Sequence, residues 1–410
     1  MKDKNLKKHI LVISQYFYPE QFRINDICVE WVKRGYKVTV ITGIPNYPKG
    51  DFYEGYGIFK RKKEVFEGIE VVRIPIIPRG KNPIMLSLNY LSFVISGFIW
   101  SIFTKVKADM LFIYEVSPMT QALPGVWYSK KMKIPCYLYV TDLWPDNVEI
   151  VTGIKNKFII GSIGKMVDYI YKNCNRIFTS SKSFIDSIKE RGISEKILEY
   201  WPQYAEDFYE PISKENIKFN EILKDGKFNI IFAGNIGVAQ GLDILPKAAQ
   251  ILKDKKINVR FNIVGDGRFK RSLINMVNDN NLESMFNFID KQPAHRIPDL
   301  MSLCDAALIC LSKSKVFSIT LPAKTQSCLA CGIPIIVSAD GEIQKVIAEA
   351  KAGLCSNSGD YYMLADKIEE LISKTNYELM EMRKNAIKYS NDKFNKEKLL
   401  SRMDEIFNSR

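Results

Sequence analysis

The chain has 410 residues, 46% of them hydrophobic, and a formal charge of +13 at pH 7. Its length exceeds one ordinary α/β core, and its apolar content excludes a disordered chain. Residues 1–200 hold 30 Lys+Arg against 19 Asp+Glu and the rest 29 against 27, so the first half carries +11 and the second +2; that asymmetry predicts either an anionic partner for the first half alone or a plain lysine-rich solvated surface.

In chain order, His9–Gln15 is a short apolar run that predicts a buried parallel strand, and Phe22–Arg34 an amphipathic helix ended by Gly35. Strands follow at Tyr36–Ile41, Glu70–Ile74, Met110–Tyr114, Cys136–Val140 and Arg176–Thr179. Helices fall at Pro118–Lys131, Lys157–Lys172 and Ser183–Arg191. Periodicity lapses over polar residues 205–227 and resumes at Phe228. Strands Arg260–Val264, Phe286–Ile289, Ala306–Ile309 and Ile333–Val337 then alternate with helices such as Leu242–Lys253 and Phe269–Asn280, before three helical segments close the chain. This βα rhythm predicts an α/β protein of two Rossmann-like domains with parallel sheets.

The segment Asn82–Thr104 has no charge over 23 residues, long enough to span a bilayer. Spanning is excluded, because the strands on either side belong to one sheet and a single crossing would separate them. A fully buried domain helix is the plainer expectation, and a helix dipping into the membrane interface the other. The run Lys60–Lys63 next to it favours some membrane contact. The eight cysteines are scattered in apolar runs, which reads as free thiols in a reducing compartment. With one C-x-x-C, Cys328–Cys331, and only two histidines, no zinc site is expected. No signal peptide is visible, so a cytoplasmic protein is expected.

The chemistry concentrates in three stretches of the second half. Phe232–Gly241, F-A-G-N-I-G-V-A-Q-G, follows a strand and opens a helix. Its glycines Gly234, Gly237 and Gly241 let backbone approach a phosphate, but their spacing is wrong for a dinucleotide fingerprint. Asn235 and Gln240 lie in the same loop. Asn262–Arg268 repeats the pattern, with Gly265, Asp266, Gly267 and Arg268 after the next strand. In Thr320–Ile336, Lys324 stands at a helix start, where the dipole disfavours a cation unless an anion is bound, so Lys324 is the expected pyrophosphate ligand. Glu342, at another helix start, is a candidate for sugar hydroxyls. In the first half, Asp142 ends a strand at the edge where α/β sites form and is the expected catalytic residue, with Asp146 a weaker candidate. Glu20 and Arg23 follow the first strand and are candidates for acceptor hydroxyls or phosphate.

Taken together, G-N-I-G-V-A-Q-G, I-V-G-D-G, L-P-A-K and A-C-G-I-P-I-I resemble the donor domain of family-4 retaining glycosyltransferases of GT-B fold. The branch that fits is similar to the WbuB-type sugar transferases of bacterial O-antigen and capsule assembly, and Gln15–Asp26, Gly43–Gly50 and Asp142–Asp146 carry the likeness into the first half. The resemblance implies two domains facing each other across a cleft. Residues 1–205 would bind the acceptor and 206–392 the nucleotide sugar, with a terminal helix, about 393–410, packed back on the first. It implies transfer of a sugar, an N-acetylated amino sugar, from a UDP-sugar to an undecaprenyl-pyrophosphate-linked saccharide. The reaction would retain configuration and need no metal or cofactor, at the cytoplasmic membrane face. The chain departs from the pattern where the family carries two glutamates eight positions apart: Ser327 and Ile319 stand there, and Gln240 replaces a common lysine. A sugar-nucleotide 2-epimerase of the same architecture is the competing enzyme reading, weakened by the scarcity of histidines (His9 and His295). A non-catalytic membrane-bound binding module is the third. The basic residues form no nucleic-acid motif.

Overall fold

The computed structural model describes residues 7–148, 153, 155–214, 217 and 221–409. The chain divides into two compact units, Met1–Trp201 and Pro202–Arg410.

The first unit runs β1 (Lys7–Ile13), α1 (Arg23–Lys33), β2 (Tyr36–Thr42), β3 (Lys63–Phe66), β4 (Ile69–Arg73), α2 (Pro83–Phe103), β5 (Met110–Glu115), α3 (Ala122–Met132), β6 (Cys136–Val140), α4 (Lys157–Lys172), β7 (Arg176–Thr179), α5 (Ser183–Lys189) and β8 (Leu198–Tyr200). One sheet orders these strands β3-β4-β2-β1-β5-β6-β7-β8. All pairs are parallel except β3 with β4. Central β1 pairs Leu11 with Thr39 on one side and Leu111 on the other, and every residue of β5 is buried. Strand order reverses between β1 and β5, so the loops after those two strands flank a natural crevice. Hairpin β3–β4 was not expected from the sequence. Its outer strand is largely solvated, and Lys60, Arg61 and Lys62 form its exposed approach.

The uncharged segment forms α2, capped by the Asn82 side chain on the Met85 N–H. It is not the buried helix expected. Its inward face is Asn89, Tyr90, Phe93, Gly97 and Ser101, while seven large apolar side chains from Ile84 to Ile102 are 40–74% exposed. The reason is steric and polar. Gly97 packs so closely that a Cβ there would lie 2.3 Å from Pro124 of α3, and Asn89 has partners only toward the sheet.

The second unit comprises β9 (Phe228–Ala233), α6 (Leu245–Asp254), β10 (Val259–Val264), α7 (Lys270–Asp279), β11 (Phe286–Ile289), α8 (Ile297–Ser302), β12 (Ala306–Cys310), α9 (Lys315–Ser318), α10 (Lys324–Ala330), β13 (Ile335–Ser338), α11 (Glu342–Ala350), β14 (Gly353–Ser356), α12 (Tyr361–Ile372), α13 (Asn376–Lys393) and α14 (Lys396–Asn408). The sheet is wholly parallel in the order β11-β10-β9-β12-β13-β14. Both faces are covered. Ile230 and Phe232 join one apolar cluster with α6 and α12, and Ile231 joins the other with α10 and α11. Such double coverage explains why these strands are largely apolar, while the polar Asn229, Asn262 and Asn287 bond one another across β9, β10 and β11. The order reverses between β9 and β12, which puts Phe232–Gly241 at the switch point.

Candidate active site

In the second unit, β9 and β10 are in register, Ala233 opposite Val264, so Gly234 and Gly265 leave the sheet side by side. A Cβ on Gly265 would stand 1.9 Å from the Gly234 carbonyl oxygen, and both residues have positive φ, +143° and +145°. Only glycine satisfies both the approach and the conformation. The same crowding brings Lys324 in: a Cβ on Gly234 would lie 2.8 Å from its Cε. The Lys324 ammonium donates to Gln240 Oε1 at 2.6 Å and sits 3.9 Å from the ring centroid of buried Phe232. Among the described residues no carboxylate pairs with it. Desolvation pushes its pKa down to about 8. Lys324 from one motif is thus in contact with Gly234 and Gln240 from another.

The loops after β9 and β12 are stitched together where the Ser312 N–H donates to the Ala239 carbonyl at 3.0 Å. Asn235, Asp266 and Arg268 are exposed on the same rim, with Gly237 and Gly267 half-buried between them. The backbone differs from the expected anion cradle in one respect. The Gly234 N–H is taken by the Val264 carbonyl, and that of Ile236 by the Asp266 carbonyl. Of the four amides from Gly234 to Gly237, those of Asn235 and Gly237 are the ones left without a backbone partner among the described residues. Glu342 opens α11 after Gly341 and is 4% exposed. The two positions at which glutamates were expected hold Ser327, buried in α10, and Ile319, just after α9.

In the first unit, Asp142 follows β6. Its Oδ2 accepts from the Ser117 N–H at 2.8 Å, which ties it to the loop after β5. Beside it stands a carboxyl that no motif flagged. Glu115, the last residue of β5, is fully buried, and its Oε2 faces the Asp142 N–H at 3.4 Å. Burial, and then the neighbouring Asp142, drive the Glu115 pKa well above the usual carboxylate range. Glu20 is 2% exposed, and its Oε1 accepts from the N–H groups of Asn46 (2.7 Å) and Tyr47 (2.6 Å). It clamps the loop after β1 to the loop after β2 and does not face solvent, so the acceptor contact expected of it is not available in this arrangement. Desolvation raises its pKa to about 7 against those two bonds. Arg23 opens α1, half-buried, where its charge acts on Tyr114 and Tyr139.

A cation that sequence reasoning missed lies nearby. Arg79 donates to the Tyr16 hydroxyl at 2.8 Å and stacks 5.2 Å from the Tyr47 ring centroid; its backbone N–H is held by Asn46 Oδ1. Its ionisable neighbours are the tyrosines Tyr16, Tyr90 and Tyr47 rather than carboxylates. Its only sequence signal was one arginine before an uncharged helix. His9 lies toward the amino end of β1, bonded to the Lys107 carbonyl and Thr39, away from this rim.

Residues 213–393 match the family model described as glycosyl transferases group 1. The second unit is a group 1 glycosyltransferase domain. The chain is also similar to WcaI of Escherichia coli K12, a protein named as a putative colanic acid biosynthesis glycosyl transferase, with 27% identity over 81% of this chain and 83% of that one. Among solved structures, sucrose-phosphate synthase from Thermosynechococcus elongatus superposes with a TM-score of 0.76 at 16% identity, covering 98% of this chain and 99% of its own. HepE of Anabaena, solved with UDP, gives 0.70 at 15% identity over 99% and 100%. The fold of the chain is therefore GT-B, as the two parallel-dominated sheets already indicated. The Lys324–Gln240–Gly234 contact lies inside the matched domain.

Proposed function

We propose that the protein moves a sugar, an N-acetylated amino sugar, from a UDP-sugar to a lipid-linked saccharide during assembly of a bacterial surface polysaccharide, at the cytoplasmic face of the membrane. The observation that carries donor binding is Lys324: a desolvated ammonium without a carboxylate, set against a glycine rim at the switch point of a parallel sheet. Such a group is an expensive feature for a fold unless an anion completes it. A pyrophosphate supplies that anion, and the leaving charge that develops on it during transfer is stabilised by the same ammonium and by the Asn235 and Gly237 amides. Arg268, exposed on that rim, adds a second cation. The names of WcaI and of the UDP complex of HepE support the class of acceptor pathway and of donor.

Transfer proceeds with retention and without divalent metal, the pyrophosphate serving as the base that takes the acceptor proton. Asp142 orients the reacting sugar, held in place by Ser117 and by the buried Glu115 behind it. Arg79, with Tyr16 and Tyr47, binds the acceptor's phosphate. The second reading, a 2-epimerase, is disfavoured by the position of His9. The decisive assay is a panel of UDP-sugars incubated with undecaprenyl-pyrophosphate saccharides and read by mass spectrometry. An acceptor product of retained configuration, unaffected by EDTA, is expected. Conversion of the UDP-sugar without an acceptor product, or activity that needs added manganese or magnesium, overturns the proposal.

A further inference from the structure

The outer face of α2 is unlike the surface around it. Ile84, Leu88, Leu91, Ile95, Phe98 and Ile102 recur every three or four residues and are all exposed. At 1.5 Å per residue they form a stripe about 27 Å long. No charge interrupts it between Lys81 and Lys105.

The stripe continues across two neighbouring helices. Phe98 meets Trp127 of α3 edge-on at 5.2 Å. One turn further along α3, Lys130 lies over Tyr169 of α4 at 4.9 Å. Tyr169 shares a face of α4 with Phe158, which is 88% exposed, Ser162 and Met166. Three helices therefore present one apolar surface on the same side of the sheet.

The charges flanking α2 and α3 are of one sign, and Asp168, the acid of α4, is paired with Arg191. No Asp or Glu occurs between Glu70 and Asp109, or between Glu115 and Asp142. Lysines stand at the helix ends instead: Lys81 before α2, Lys105 and Lys107 after it, Lys130 and Lys131 ending α3, and Lys157 opening α4, all exposed. Apolar side chains in the middle with cations at the edges match a phospholipid interface, where the first enter the acyl boundary and the second reach anionic headgroups.

We propose that the outer faces of α2, α3 and α4 form a docking surface for an anionic lipid bilayer, with α2 lying in the plane of the interface. A spanning orientation is incompatible with the opposite face of the same helix, which is fixed to the domain through Gly97 on Pro124 and Asn89 on Gln15. The lipid-linked acceptor proposed above gives this surface a purpose, but the surface is argued from α2, α3 and α4 alone.

The test uses the full-length protein with neither donor nor acceptor present. Flotation is measured with phosphatidylcholine vesicles, with and without phosphatidylglycerol, for wild type, for L91S/I95S/F98S and for K105Q/K107Q/K130Q. Wild type is expected to float with the anionic vesicles, and quenching by bromolipid is expected to decrease in W127F. The apolar variant should lose at least tenfold in partitioning at all salt concentrations, the lysine variant mainly at low salt. Unchanged thermal unfolding and unchanged UDP binding would show that the variants are folded. Wild type remaining unbound to both vesicles overturns the proposal, as does an apolar variant that floats equally well. A face that drives lipid-free dimerisation, abolished by L91S/I95S/F98S, with no vesicle binding also overturns it and makes the surface a contact between copies. UDP-sugar transfer to a detergent-dispersed acceptor is scored separately, so failure here leaves the transferase reading standing.

Discussion

Replacing Lys324 with methionine removes a charge that the fold holds at a cost. The ammonium titrates near 8 in the folded protein against 10.5 in an exposed lysine. That difference corresponds to about 3 kcal/mol at 1.36 kcal/mol per pH unit. The sign follows from proton counting. Between pH 8 and 10.5 the unfolded chain binds this proton and the folded one does not, so stability rises with pH through that window, and the full cost is present below pH 8. Methionine removes the cost but loses the bond to Gln240, about 1 kcal/mol. A net stabilisation of about 2 kcal/mol at pH 7 is expected, fading toward pH 10.5. Function should move the other way. Losing one charged bond to the pyrophosphate removes about 1.5–3 kcal/mol, so kcat/KM for the UDP-sugar falls at least tenfold. In the wild type, donor affinity should weaken about tenfold per pH unit above 8, because a bound anion restores the proton, and this dependence should vanish in the variant. Urea unfolding at pH 7 and pH 10, with UDP titration across the same range, measures both effects. A variant less stable than wild type at pH 7 that binds UDP equally well would show that Lys324 serves packing, and the assignment would be withdrawn.

Gly265→Ala should destabilise the second unit by about 2 kcal/mol or more and abolish UDP binding, since the new methyl group meets the Gly234 carbonyl oxygen; thermal unfolding with and without UDP reports this. Glu20→Gln should be as stable as wild type at pH 5 and more stable at pH 8, keeping an oxygen for both amides without a buried charge, whereas Glu20→Ala should lose about 2 kcal/mol at pH 5. Because the Glu20 pKa is raised to about 7, its contribution to stability falls as pH rises from 4.5 to 7 in the wild type but not in the Gln variant, a contrast that urea midpoints at pH 5 and pH 8 resolve. Asp142→Asn keeps an acceptor for the Ser117 N–H and should lower kcat about a hundredfold with little change in melting temperature; equal turnover would remove Asp142 from the chemistry.

Much of this was legible from residue order. Parallel strands buried on both faces read as apolar runs, and α4 and β11 fall on the expected residues, Lys157–Lys172 and Phe286–Ile289. Lys324 and Gln240, 84 positions apart, were both singled out, Lys324 as a cation at a helix start and Gln240 as the replacement of a lysine common in the family it resembles. What escaped depended on the third dimension. Hydropathy showed that α2 is apolar but not which side the domain would take, and the small and polar side won because Gly97 admits Pro124. Glycine spacing announced a phosphate-type turn but not that the carbonyls of Val264 and Asp266 occupy two of its amides. Glu115 looked like the end of a buried strand, and its proximity to Asp142 arises only from the register of β5 with β6. Hairpin strand β3 was hidden by its own charge.

Gln15 joins four segments of the first unit. Its N–H donates to Gln121 Oε1, and its amide nitrogen to Asn89 of α2; its carbonyl accepts from the Gly43 N–H and the Thr42 hydroxyl. The loop after β1 is therefore fixed by the ends of β2, α2 and the turn before α3 rather than by anything it binds. The entropy of ordering it is lost once, when the chain folds, and not again at each encounter with an acceptor. Binding at that rim should accordingly show a small entropic penalty and little structural relaxation, so the free and loaded forms should exchange amide hydrogens of Ser14–Tyr18 at similar rates.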